Sequence, residues 1–135
     1  MALSASIDEI LKNAHTIAVV GLSPKPDRPS YRVAEYLKQH GYRIIPVHPT
    51  AKEILGEKVY PRLEDIPEAI DIVDVFRRPE ETPPIAEAAV RVGAKVLWLQ
   101  LGIVNEDAMA IARQGGLEAV QNRCLKIEHE ARMGR

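Results

Sequence analysis

A parallel β-sheet covered by helices on both faces is the fold class the sequence predicts, and three observations predict it. Short runs rich in β-branched and apolar residues alternate with amphipathic segments of helical period along the 135 residues. The clearest run, Thr16-Ile17-Ala18-Val19-Val20, is continuous rather than alternating, the mark of a strand buried on both faces. Apolar residues make up 46% and charged residues 27%. That is the composition of one globular domain, here taken to span residues 1–135, within the usual range of roughly 100–150.

The elements follow in order. Ser6-Ile7-Asp8-Glu9 has the S-x-x-E form of a capping box and opens a short helix to about residue 13. The strand 16–20 is stopped by Gly21. Residues 22–30 hold three prolines and cannot be regular structure, and Ser30 is read as the N-cap of a helix over 31–40. Strand 43–47 ends at His48-Pro49. A long, partly irregular stretch follows, with a short helix expected over 63–70. Strand 72–76 precedes a helix over 80–92, whose Pro83 and Pro84 are tolerated in its first turns. A fourth strand over 95–101, a helix over 106–114, a fifth strand over 117–121 and a helical tail from Lys126 complete the chain. Strands and helices alternating at this spacing imply right-handed βαβ crossovers.

Several function classes are excluded at this level. The net charge is −1, whereas nucleic-acid binding calls for a surplus of Lys and Arg. The single cysteine, Cys124, allows neither an internal disulfide nor a four-ligand zinc site of the usual kind. It reads as a small buried or semi-buried hydrophobe, with a thiol exchange role as the sharper alternative. Residues 1–11 have no basic start and no long apolar run, and no stretch of eighteen apolar residues occurs. The expectation is a cytoplasmic protein without a membrane span.

In sheets of this kind the ligand lies beyond the carboxyl ends of the strands, where the strand order reverses. After the first strand, Gly21 is followed by Ser23, Pro24, Lys25 and Arg28, with Arg32 in the first turn of the helix. A dinucleotide site would place three glycines here. This loop is either an anion cradle at a helix N-terminus or a surface turn with solvated charges. After the second strand stand Val47, His48 and Pro49, with no carboxylate until Glu53 to hold ribose hydroxyls as NAD sites do. The flanking prolines suit a flat ring, and His48 reads as a hydrogen-bonding edge rather than a base. After the third strand Phe76, Arg77 and Arg78 arrive together, a ring with two forked phosphate donors. One of the two arginines is expected to pair with Glu80 or Glu81, not both. After the fourth strand come Gln100, Leu101 and Gly102, the Gln turned either toward a polar ligand or onto loop backbone. Lys25, Arg28, Arg32, Lys52, Arg77 and Arg78 all map to this rim, which favours an anionic small molecule.

Taken together, the segments from Val20 to Ser23, from Arg28 to Arg32, 42–49, Ile66-Pro67 with 71–78, 98–105 and Asn122-Arg123-Cys124 resemble the CoA-binding domain family. That family also supplies the N-terminal part of the succinyl-CoA synthetase α subunit. The resemblance implies a Rossmann-like sheet of five strands in the order 3-2-1-4-5. It implies CoA or an acyl-CoA as cofactor, contacted by Gly21, Ser23 and Pro24, and from Val47 to Pro49, Phe76 to Arg78 and Gln100 to Gly102. CoA carries a ribose 3′-phosphate, which accords with guanidinium groups and a missing ribose acid. His48 stands where Asn or Ser is more usual, and Leu125 follows Cys124 where proline is common. The synthetase works through a phosphorylated histidine in a second domain, and His15, His40, His48 and His129 match no part of that motif. The expectation is a binding module without catalysis of its own. Alternatives are an NAD(P)-dependent oxidoreductase, a CoA-ligase or transferase component needing a second subunit, or a structural partner with a vestigial crevice. A homo-oligomer or an acyl-CoA enzyme remains open as partner. No metal is expected.

Overall fold

The computed structural model describes residues 6–133. The leader expectation, drawn from residues 1–11, therefore falls partly outside the described residues. The elements are α1 (Ile7–Asn13), β1 (Thr16–Val20), α2 (Pro29–Gln39), β2 (Arg43–Val47), β3 (Glu53–Ile54), β4 (Glu57–Lys58), β5 (Ile72–Val75), α3 (Thr82–Arg91), β6 (Val96–Leu99), α4 (Glu106–Gln114), β7 (Glu118–Val120) and α5 (Leu125–Arg132). None of these helices is long and apolar enough to cross a membrane. The expected capping box is present, since Ser6 Oγ accepts from the Glu9 N–H and the Glu9 carboxylate from the Ser6 N–H.

Five strands form one parallel sheet, confirming the α/β class, in the order β2-β1-β5-β6-β7. Counted along the chain as five strands this is 2-1-3-4-5, which corrects the expected 3-2-1-4-5. The reason lies at Asp71. Its carboxylate accepts from the N–H groups of both His15 and Thr16 at 2.8 Å, so the start of β5 is fastened to the start of β1. The pairs Ile17–Ile72 through Val20–Val75 follow from that anchor. Burial alone would push the Asp71 carboxyl up, but the two N–H donors and the Lys95 ammonium outweigh it and hold it below the usual value.

Successive residues of each strand feed opposite layers. Ile17, Val19, Ile72 and Trp98 pack under α1, α2 and α5 through residues such as Leu11, Leu37 and Leu125. Ala18, Val20, Val73 and Leu97 pack under α3 and α4, whose inner faces are small: Ala86, Ala89, Ala108 and Ala112. Both faces are covered, which is why the strands read as continuous apolar runs.

Three local expectations are corrected. Helix α2 begins at Pro29 with Arg28 at its N-cap, and Ser30 is buried inside the first turn, where its hydroxyl accepts from the Ser23 N–H at 3.0 Å. A proline at the first helical position has its φ preset and gives up an N–H that would lack a partner anyway, so it displaces serine as the start signal. In place of a helix over 63–70 there is one 3₁₀ turn, Leu63–Asp65. The 80–92 helix is split into the 3₁₀ turn Pro79–Glu81 and α3. The β3–β4 hairpin was unforeseen; its turn residues Leu55 and Gly56 both have positive φ, as a two-residue hairpin turn demands.

Asp74 lies in the middle of β5, in register with Val19 and Trp98, fully buried. Neither carboxylate oxygen has a hydrogen-bond partner among the described residues. Burial pushes this carboxyl well above the ordinary range. The folded chain thus keeps a proton that the unfolded chain releases above about pH 4. Stability should fall as pH rises from there toward the folded pKa, by about 1.4 kcal/mol per pH unit. Asp74→Asn removes this dependence. Urea unfolding at about pH 5 and about pH 8 should show the variant gaining on the wild type at the higher pH; a gap that does not move with pH would contradict the assignment.

Gly21, at the end of β1, has φ +87, and a Cβ there would sit 2.4 Å from the Phe76 carbonyl oxygen and 2.9 Å from Arg77 Cδ. Gly41 has φ +94 with nothing within 4 Å of a Cβ. Gly21→Ala should therefore cost more than Gly41→Ala, by roughly 1–3 kcal/mol in thermal or chemical unfolding. Equal losses would mean that only backbone strain matters and that the loops do not press together.

Candidate functional site

With β5 paired directly to β1, the chain reverses its direction across the sheet between these two strands. The switch point of this doubly wound order is where a ligand crevice forms. The loops from β1 and β5 meet there: the Phe76 N–H donates to the Val20 carbonyl at 2.8 Å, and Gly21 N–H donates to the Val47 carbonyl at 3.1 Å. Three of the four strand ends named from the sequence are thereby tied together.

Two cavities open at this edge and share His48. The first, about 500 Å³, lies over the N-terminus of α2 and is lined by Gly21, Ser23, Pro24, Lys25, Arg28 and Phe76, with His48 at its border. Its floor is preset: Leu22 is fully buried, Ser30 holds the Ser23 N–H, and Ser23 Oγ accepts from the Lys25 N–H at 3.1 Å. Helix α2 has no side-chain cap and no acid in its first turn, so its positive end is left uncompensated. Lys25 and Arg28 make no ion pair among the described residues, and no carboxylate lines the cavity.

The second cavity, about 430 Å³, lies on the α3 side and brings in Val47, Pro49 and Arg77. It also recruits residues the sequence reading passed over: Pro61, Arg62, Leu63, Glu64, Glu81 and the α3 residues Pro84, Ile85, Ala88 and Arg91. Its wall comes from the β2–β5 connection, where the Tyr60 N–H donates to the Pro46 carbonyl and the His48 N–H to the Tyr60 carbonyl. Here every guanidinium is matched. Arg91 pairs with Glu64 at 2.7 Å and Arg62 with Asp65 at 3.4 Å.

Glu81 is the centre of the third match. Its Oε1 accepts from Arg77 Nε at 2.8 Å and its Oε2 from Arg78 Nη2 at 2.9 Å. The expectation that only one of the two arginines would be paired is corrected: the 3₁₀ turn Pro79–Glu81 brings one carboxylate within reach of both. The Arg77 hydrogen bond, with that of Arg78 beside it, lowers the Glu81 carboxyl to about 2.

His48 Nδ1 accepts from the N–H groups of Thr50 and Ala51 at 3.1 and 2.9 Å. A ring nitrogen that accepts carries no hydrogen, so the neutral ring holds its proton on Nε2. This is the hydrogen-bonding edge anticipated at that position.

Five of the expected residues line neither cavity. Arg32 is exposed on α2, and the Arg78 side chain is 74% exposed. Gln100 is buried, and its Oε1 accepts from the Leu125 N–H at 3.2 Å. The Gln100 amide oxygen thus meets backbone at the start of α5. Leu101 is exposed, and the Gly102 N–H donates to Asn122 Oδ1. Lys52 is exposed and also lines neither cavity. Cys124 is half-buried against the core and lines neither cavity. Among the described residues no group of three or more His, Cys, Asp or Glu side chains could hold a metal ion.

Comparison with known proteins gives this geometry its context. Residues 15–130 match the model of the CoA binding domain. An uncharacterized protein of Bacillus subtilis, YneT, is 45% identical over 93% of each chain. The α subunit of an ADP-forming acetate–CoA ligase of Pyrococcus furiosus is 30% identical over 78% of this chain, which spans only 25% of that subunit. Among solved structures, a hypothetical protein from Pyrococcus horikoshii has a TM-score of 0.91 at 42% identity, covering 99% of this chain and 100% of that one. With a Rossmann-like sheet, a crevice at its switch point and this match across most of its length, the chain belongs to the CoA-binding domain family.

Proposed function

We propose that this chain binds coenzyme A or an acyl-CoA in the crevice at the β1–β5 switch point, as a binding module rather than a catalyst. The observation that carries the reading is the acid-free first cavity, where Lys25 and Arg28 stand unpaired beside the uncapped start of α2. A diphosphate is the ligand chemistry that such a lobe rewards, through backbone N–H groups and two cations at once. The end of β2 offers Val47-His48-Pro49 and no carboxylate, so the ribose grip of an NAD site is missing. Phe76 and the prolines Pro24 and Pro49 supply flat apolar surface for an adenine ring or a pantetheine arm. Arg77 supplies the forked donor for a phosphate monoester.

The kinship with ligase subunits supports a refinement. The domain amounts to a quarter of the Pyrococcus subunit, and we propose that this one presents its acyl-CoA to an enzyme of the same chemistry. The protein as proposed works in the cytoplasm and needs no metal.

Thermal unfolding with CoA, dephospho-CoA, NAD and NADP tests this. Saturating ligand stabilises by about 2.7 kcal/mol at a hundredfold excess over Kd. CoA should stabilise most and dephospho-CoA less, and a response to NAD or NADP with none to CoA would overturn the reading. The two cation sets should also separate. Lys25→Ala with Arg28→Ala should weaken CoA and dephospho-CoA alike, by roughly tenfold or more for two charge-assisted contacts. Arg77→Ala should weaken CoA while leaving dephospho-CoA nearly unchanged.

A further inference from the structure

The geometry points to Glu81 as a displaceable internal anion that occupies the phosphate donors of Arg77 and Arg78 while the crevice is empty. Its assignment to the CoA phosphate rests on the reading above; the displacement itself rests on the contacts. One carboxylate engages two different guanidiniums, one through each oxygen, at 2.8 and 2.9 Å. Two oxygens of a phosphate would present themselves to the same pair of donors in the same way. Glu81 lines the second cavity together with Arg77. Although it precedes α3, its side chain makes no cap hydrogen bond, so helix formation does not claim the carboxylate.

Charge decides who holds the donors. A phosphate monoester carries about −1.5 to −2 and three acceptor oxygens, against −1 and two oxygens for Glu81. A dianion can therefore displace the glutamate, whereas a monoanion or a hydroxyl meets arginines already satisfied. Glu81 thus holds affinity for phosphate below what two bare guanidiniums would give and screens out weaker anions. Its neighbour Glu80 lies 3.7 Å from Arg78 and is 68% exposed, too loosely placed to compete.

Glu81→Gln keeps the shape and removes the charge. Calorimetric titration at low salt should show the variant binding CoA about fivefold more tightly, the worth of two exposed ion pairs no longer broken. Dephospho-CoA affinity should stay as in the wild type, as should CoA affinity in Glu80→Gln. Unchanged or weaker CoA binding by Glu81→Gln would overturn the inference and make Glu81 an organiser of the arginines. Inorganic phosphate supplies an arm independent of CoA: the Arg77 Nε–H resonance should respond at lower phosphate concentration in Glu81→Gln. If the wild type binds no CoA, the ligand reading falls, and the phosphate arm alone then decides the role of Glu81.

Discussion

Because β5 hydrogen-bonds directly to β1, the loops that leave these strands run side by side, and the carboxyl edge of the sheet is organised by that contact. The chain steps outward from β1 to β2, then returns to the other flank of β1. Helix α2 is left on one face and α3 on the other, with a gap between their starts. The gap can form only if the backbones at Gly21 and Phe76 come together, and the positive φ of Gly21 is what allows it. At the opposite edge Asp71 enforces the same pairing by caging two N–H groups of β1. One carboxylate and one missing side chain, at opposite ends of the strands, hold the switch point in place.

A sheet covered on both faces has no wet side, so each polar group inside it must be answered or paid for in pKa. Gln100 is answered by the Leu125 N–H, which fastens the start of α5 to the end of β6. Asp74 is answered by nothing among the described residues, and it holds a proton instead. The layer above it is the α2 and α5 side, the same face on which Phe76, two residues on, reaches the first cavity. The crevice therefore sits over a strand carboxyl whose burial favours its neutral form, so the rim cations and the start of α2 meet little opposing charge from Asp74.

The class of fold and most of its elements were legible because buried parallel strands and amphipathic helices announce themselves by period. Helix α4 runs from Glu106 to Gln114, the bounds its period predicts. The strand order was not legible, since nothing local says whether β5 will seat beside β1 or beyond β2. That choice rests on Asp71 meeting His15 and Thr16, a contact across 55 residues. Ser30 misled because a serine before an apolar face looks like a cap, while Pro29 had already started the helix. At the site, ten of the fifteen expected residues line the two cavities. Those after the strands of the switch point were legible from position alone. Arg62 and Glu64 were not, because their wall is an irregular connection with no periodicity to read, and Arg91 was not, because the period of α3 does not tell that its last turn meets Glu64.

The rim around the crevice carries two kinds of cation, and the difference bears on how an anion would enter it. Lys25 and Arg28 are exposed and make no ion pair among the described residues, so their field reaches into solvent and would act on an approaching anion at the range of a Debye length. Arg77 and Arg78 are neutralised by Glu81 and act only at contact, once an anion comes close enough to take the carboxylate's place. On the proposed reading, attraction and discrimination fall to different residues on different faces of the sheet. A near-neutral chain needs that division. Four free cations on one rim would collect any anion, whereas on the reading proposed above two free and two guarded ones would draw anions in and then select for a second, more highly charged group. CoA, with a diphosphate and a separate 3′-phosphate monoester on one nucleotide, has that pattern of charge.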